Sequence, residues 1–205
     1  MYEFHKNSKG EYTEGFLGEP ENFNGIVFLL REPNTGGKPA EEFWVKEVLT
    51  NSENYHKALE SSNTDKKKIA NSKRDATKFR NRFTEMLEFS DHKKDDIYNS
   101  VFCNIKPENG EKVVGKKYEE ELESSKLEEM ILYFASLKDE ITVFTCFDIY
   151  NELLELDNIK NKEEKTGLKY KSKVSRCFEG EICKAKIKVY EIVHPSVSSK
   201  ITKKE

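Results

Sequence analysis

The sequence predicts an α/β fold with a mainly parallel sheet covered by helices on both faces. Two observations carry this. Four short runs are rich in Val, Ile and Phe, and apolar residues recur at helical spacing in the intervals between them. A third observation concerns how three of the runs end: at Glu32-Pro33-Asn34, at Cys103-Asn104 and at His194-Pro195-Ser196. Polar residues at the carboxyl ends of parallel strands share one edge, where chemistry in open α/β sheets is usually done.

The first strand-like run is Gly25 to Leu30. After the Gly36-Gly37 turn, Phe43, Trp44, Glu47 and Val48 begin a helix. Ala76, Phe79, Phe83, Met86 and Leu87 repeat at three and four and predict the next helix. The second strand is expected over Tyr98 to Cys103, followed by a helix through Leu127, Met130, Ile131 and Phe134. The third strand is expected over Ile141 to Phe147, and a short helix over Asp148 to Leu156. The polar, lysine-rich stretch Asn158 to Glu181 reads as a long loop or an added hairpin. The last strand is expected over Ile187 to Val193. No repeat or linker divides the chain, so residues 1–205 are expected to form one domain.

A charged fraction of 36% and a mean hydropathy of -0.81 predict a soluble protein. There is no run of 18 apolar residues and no apolar leader, so neither a membrane span nor export is expected. A cytoplasmic monomer is the expectation. Cys103, Cys146, Cys177 and Cys183 form no CxxC pair, which argues against zinc or iron–sulfur binding, and no metal or cofactor is expected. Two of these cysteines lie in apolar runs, as buried small hydrophobes do. A net charge of -3 does not by itself suggest a nucleic-acid partner, but its distribution is uneven. From Lys66 to Arg82 there are eight basic residues against Asp75, and from Lys184 to Lys204 six lysines against Glu191. Acid gathers instead between Glu119 and Glu129. One basic face is thus expected, although solvated helix faces explain the same charges.

The three strand-end motifs carry the chemistry. Glu32 directly precedes Pro33 and is followed by glycines, which puts an acid on a tight loop. Such an acid can position water or stabilise a developing cation; an exposed turn glutamate is the plain alternative. Asn104 offers one acceptor and two donors, enough to read the edge of a base, although asparagine at a strand end is often a turn residue. His194 is biased toward extended geometry by Pro195. A neutral imidazole can donate to an oxygen on which negative charge builds.

In this order, Glu32-Pro33, Asn104 and His194-Pro195-Ser196 resemble the motifs of the uracil-DNA glycosylase superfamily. The resemblance spans roughly Gly25 to Ser199. It implies a three-layer α/β/α sandwich around a central four-stranded parallel sheet of order 2-1-3-4. The implied activity is hydrolysis of the N-glycosidic bond of uracil or a related damaged base in DNA. Glu32 would activate water and His194 would stabilise the departing base anion. Asn104 would hydrogen-bond the base edge. Pro33, Asn34, Pro195, Ser196 and Val197 would hold the DNA backbone. Leu30 stands where the family normally has glycine, and Asn34 where the commoner branches have tyrosine or glycine.

The residue types suit that reaction. A stacked base must be flipped out at a cost of a few kcal/mol. Bond cleavage then leaves positive charge on the sugar and negative charge on the base, which a carboxylate and an imidazole N–H stabilise separately. Phe43 or Trp44 could give the flipped base an aromatic floor, worth about 1–3 kcal/mol, while core packing is the expected use of at least one of them. The alternative is a glycosylase-fold protein that binds nucleic acid without cutting it. A nucleotide or sugar-phosphate enzyme on a similar sheet fits less well, because GxGxxG and GxxxxGK[ST] are absent. A Cys103 or Cys146 nucleophile would have no evident base beside it.

Overall fold

A computed structural model describes residues 2–30, 43–62, 64–105, 124–170 and 173–192. Among these, seven strands form one mixed sheet: β1 (Gly15–Phe16), β2 (Ile26–Leu30), β3 (Val101–Asn104), β4 (Glu140–Thr145), β5 (Ile159–Tyr170), β6 (Lys173–Ile182) and β7 (Ala185–Glu191). Their spatial order is β1-β3-β2-β4-β7-β6-β5. The helices are α1 (Trp44–Thr50), α2 (Ser52–Ser62), α3 (Lys66–Phe89), α4 (Ser124–Leu137) and α5 (Phe147–Glu155).

The α/β class agrees with the sequence expectation, but a sheet of only four parallel strands does not. β3, β2, β4 and β7 are mutually parallel neighbours. β1 adds to one side antiparallel, and β6 and β5 add to the other as an antiparallel hairpin. The stretch Asn158 to Glu181 is thus mostly that hairpin. Boundaries also move. Tyr98 belongs to a 3-10 turn over Lys94–Asn99, and Phe147 opens α5 instead of closing β4.

Alternation along each strand separates two cores. Val27, Leu29, Val101, Cys103, Ile141, Val143, Ile187 and Val189 face α4 and α5, meeting Met130, Phe134, Ile149 and Leu153. Ile26, Phe28, Leu30, Phe102, Phe144 and Tyr190 face α1 and α3, meeting Val45, Leu49, Phe83 and Leu87. Each fully buried apolar side chain contributes about 1.5–3 kcal/mol. On the α3 side, register partners on β2, β4 and β7 stack as Phe28, Phe144 and Tyr190, with centroids 5.3 and 5.4 Å apart. Phe83 meets Phe28 edge-on at 4.6 Å. Such contacts add about 0.5–1.5 kcal/mol per pair beyond burial.

Gly25 sets the entry to β2. Its φ is +87°, and a Cβ there would lie 2.4 Å from the Glu140 carbonyl oxygen. Only glycine combines that backbone conformation with so close an approach to β4. No helix among the described residues is long and apolar enough to cross a membrane.

Candidate functional site

The parallel strands end together. Leu30 and Asn104 are register partners, as are Leu29 and Thr145, and Thr145 and Glu191. The ladder continues slightly further: Ile105 N–H donates to the Leu30 carbonyl at 2.9 Å, and Ile192 N–H to the Thr145 carbonyl at 2.7 Å. Neighbouring strands lie about 4.8 Å apart, so these four ends span only about 14 Å along one edge.

Asn104 closes β3 with 4% of its surface exposed, and its Oδ1 is buried without a hydrogen-bond partner among the described residues. An unpaired buried acceptor costs about 1–3 kcal/mol, which marks the position as unusual. Asn104 shares the α1/α3 face with Phe102, two residues earlier. The partly buried Phe43 ring packs on that face, 6.2 Å from the Phe102 ring and tilted by 38°. Trp44 is the first residue of α1. Asn104 and Phe43 therefore belong to one region. Glu32, Pro33, Asn34, His194, Pro195, Ser196 and Val197 lie outside the described residues.

Sequence reasoning missed a carboxylate at this edge. Glu14 immediately precedes β1 and is 1% exposed. Its Oε1 accepts from the Tyr2 hydroxyl at 2.7 Å and the His5 backbone N–H at 3.0 Å. Its Oε2 accepts from the Asn104 backbone N–H at 2.6 Å. His5 Nδ1 lies 3.1 Å from Oε1, but is not aligned to hydrogen-bond with it. Burial, reinforced by the Glu14 carboxylate that accepts its hydrogen bond, pushes the Tyr2 hydroxyl pKa far above its ordinary value. Burial, reinforced by Glu14, does the same to Cys103, which therefore stays a thiol. Such burial disfavours a thiolate at Cys103. The only sequence signal for Glu14 is an acid before Gly15-Phe16 in an otherwise polar stretch.

A second polar cluster fixes the end of β7. Arg176 Nε donates to Glu191 Oε2 at 2.6 Å, and Nη2 to Asn151 Oδ1 at 2.9 Å. The guanidinium lies 4.4 Å from the Tyr150 ring centroid, and Tyr150 donates to Glu164 at 3.1 Å. Arg176 Nη1 also donates to Glu164 Oε1 at 3.4 Å, and a planar fork that stacks and binds three acceptors at once is a task for arginine and not for lysine. Thr145 Oγ1, at the end of β4 between these clusters, is buried and also without a partner among the described residues.

The basic stretch Lys66 to Arg82 lies along α3. Part of its charge is answered: Lys73 pairs with Glu60, Arg74 with Asp75, and Arg80 donates to the Tyr98 hydroxyl. Lys66, Lys67 and Lys68 fill the exposed first turn behind the cap Asp65, against the helix dipole.

No family model, no curated protein and no solved structure matches this chain.

Proposed function

We propose that this chain is a metal-independent DNA glycosylase acting on uracil or a related base flipped from DNA. The observation that carries the reading is Asn104: a buried amide whose oxygen has no partner among the described residues, on the sheet edge where β2 and β7 also end. A flipped pyrimidine brings the donor that such an oxygen lacks.

Three further features support it. β3, β2, β4 and β7 are parallel neighbours inside the seven-stranded mixed sheet, an arrangement compatible with the reading. Glu32 follows Leu30 by two residues and His194 follows Ile192 by two. Phe43, partly exposed near Asn104, can stack on a base.

In the reaction, Glu32 positions water and stabilises positive charge on the sugar. Asn104 holds the base edge. His194 donates to the base oxygen as the bond breaks, so that opposite charges are met by separate groups.

The test is release of base from a uracil-containing oligonucleotide, single- or double-stranded, read as strand cleavage after alkali. The parent should generate abasic sites. Glu32→Ala and His194→Ala should each lower the rate about 10²–10⁴-fold. No abasic sites on any of several damaged bases would overturn the reading. DNA binding without base release would leave the non-cutting nucleic-acid-binding alternative.

A further inference from the structure

α3 is longer than the sheet it covers. Its buried side chains are Ala76, Phe83, Met86 and Leu87, so the stretch from Lys66 to Asp75 buries none. Its C-terminal end sits over the strand starts. There His92 Nε2 lies 3.3 Å from Thr142 Oγ1, and Thr142 pairs with Ile26, the first residue of β2. Going back along the helix leads toward the strand ends: Phe83 meets Phe28, and the Phe79 ring packs one turn further on, 4.7 Å from that of Phe83. At about 1.5 Å per residue, Lys66 lies about 25 Å along the axis from Phe83. Leu30, the partner of Asn104, stands only about 7 Å beyond Phe28. The first half of α3 therefore projects past the edge where Asn104 sits, on the sheet face that Asn104 shares.

One stripe of this helix faces solvent. Lys67, Asn71, Arg74, Lys78 and Asn81 recur at spacings of 4, 3, 4 and 3, all exposed, on the side away from Phe83 and Leu87. Every member is a cation or an amide. Lys67 and Lys78 have no ion pair among the described residues, and Arg74 meets only its neighbour Asp75, at 3.4 Å. The same stripe continues into Glu85 and the exposed Glu88, so its acids are confined to the end over the strand starts.

This order of charge works against the helix. Lys66, Lys67 and Lys68 crowd its positive end and Glu88 stands at its negative end, both unfavourable to the dipole. Solvation needs no such segregation. A polyanion does. An amphipathic membrane helix needs large apolar side chains beside its cations, and Ala70 is the one exposed apolar residue of α3.

We infer that the solvent stripe of α3 from Lys67 to Asn81 docks the phosphate backbone of DNA whose flipped base reaches Asn104. The inference rests on the reading of the substrate as DNA. The stripe is about 21 Å long, which matches about six nucleotides at about 3.4 Å each. Its lysines and Arg74 neutralise phosphates, and the Asn71 and Asn81 amides donate to phosphate oxygens between them. Backbone contacts of this kind position the strand and carry no sequence preference.

The test is fluorescence anisotropy of labelled uracil-containing oligonucleotides, single-stranded and duplex, across a potassium chloride series. The parent is compared with Lys67→Gln/Lys78→Gln and with Lys184→Gln/Lys186→Gln, an equal charge change on exposed lysines where β7 begins. Losing two phosphate contacts should lower the log–log salt slope of the first pair by about 1.8 on duplex and about 1.4 on single strands. The second pair and Lys67→Arg/Lys78→Arg should keep the parent slope. Glutamine suits an exposed helix position as well as lysine does, so the urea midpoint of the first pair should not fall below the parent's.

Equal slopes for the parent and the first pair, equal losses for both glutamine pairs, or no binding by the parent would each overturn the docking surface. So would binding to phosphatidylserine vesicles but not to oligonucleotides, which would assign the stripe to a membrane. Base release is read in the same tubes and judges the glycosylase reading separately. Release with an unchanged slope defeats only the docking surface, and a lowered slope without release defeats only the glycosylase.

Discussion

The backbone N–H of Asn104 donates to Glu14 Oε2 at 2.6 Å, although 90 residues separate the two in sequence. The same carboxylate takes the Tyr2 hydroxyl and the His5 N–H, so it joins the N-terminal segment to the end of β3. Hydrogen bonds to a charged group contribute about 1.5–3 kcal/mol each, and stranded buried donors cost about 1–3 kcal/mol. Glu14→Ala should therefore lower stability by about 4 kcal/mol. Glu14→Gln should cost about 2 kcal/mol, since an amide brings donors where donors already converge. Urea denaturation measures both. Glu11→Gln, at an exposed site, should stay within about 0.5 kcal/mol of the parent. A Glu14→Ala midpoint equal to the parent's would show that the carboxylate holds nothing.

The same cluster sets an alkaline limit. The Tyr2 and Cys103 pKa values are raised in the folded state, chiefly by burial, from ordinary values of 10.0 and 9.0. A raised acid holds its proton in the folded chain after the unfolded chain has released it. The unfolded state then binds fewer protons, and stability falls as pH rises. The contribution is intact below about pH 8.5 and declines from there, more steeply above about pH 10 as tyrosine joins. Each fully engaged group contributes up to about 1.4 kcal/mol per pH unit. Urea midpoints between pH 8 and 11 should fall, and Tyr2→Phe should flatten the part above pH 10. An identical slope in Tyr2→Phe would mean that Tyr2 is not the group responsible.

What was legible in the sequence follows from how much apolar surface each element buries. β2 and most of β4 are continuous apolar runs because both faces of these parallel strands are covered, whereas β7 alternates Ile187, Val189 and Tyr190 with lysines. α3, α4 and α5 show their apolar stripes. α2 has no buried residue, so periodicity cannot find it. An Asn51 cap and the Glu53–Lys57 pair accompany it instead. β1 is two residues long, too short for any strand pattern, yet it brings Glu14 to the site. Asn104 was legible as a polar residue closing an apolar run. Its buried anchor was not, because a glutamate among lysines, asparagines and glycines looks solvated until the fold encloses it.

Asn104 offers a way to separate stability from function. Its backbone N–H serves Glu14 whatever the side chain is, while its Oδ1 is buried without a partner among the described residues. Replacing a side chain that carries a buried unsatisfied oxygen by an apolar one of similar volume removes a desolvation cost and leaves the backbone bond intact. Asn104→Leu should therefore be as stable as the parent, or more stable by about 1 kcal/mol. If the amide reads a base, the same variant should lose base release at least about 10²-fold, because leucine leaves the base edge unpaired. Asn104→Asp separates the cases further, since a carboxylate keeps the acceptors, loses the donor and repels an anion forming on the base. Urea denaturation and the uracil-oligonucleotide assay, run on the same preparations, give both readouts. A Leu variant that is strongly destabilised would make Asn104 a structural residue with an internal partner. One that is stable and still releases base at the parent rate would remove Asn104 from the site.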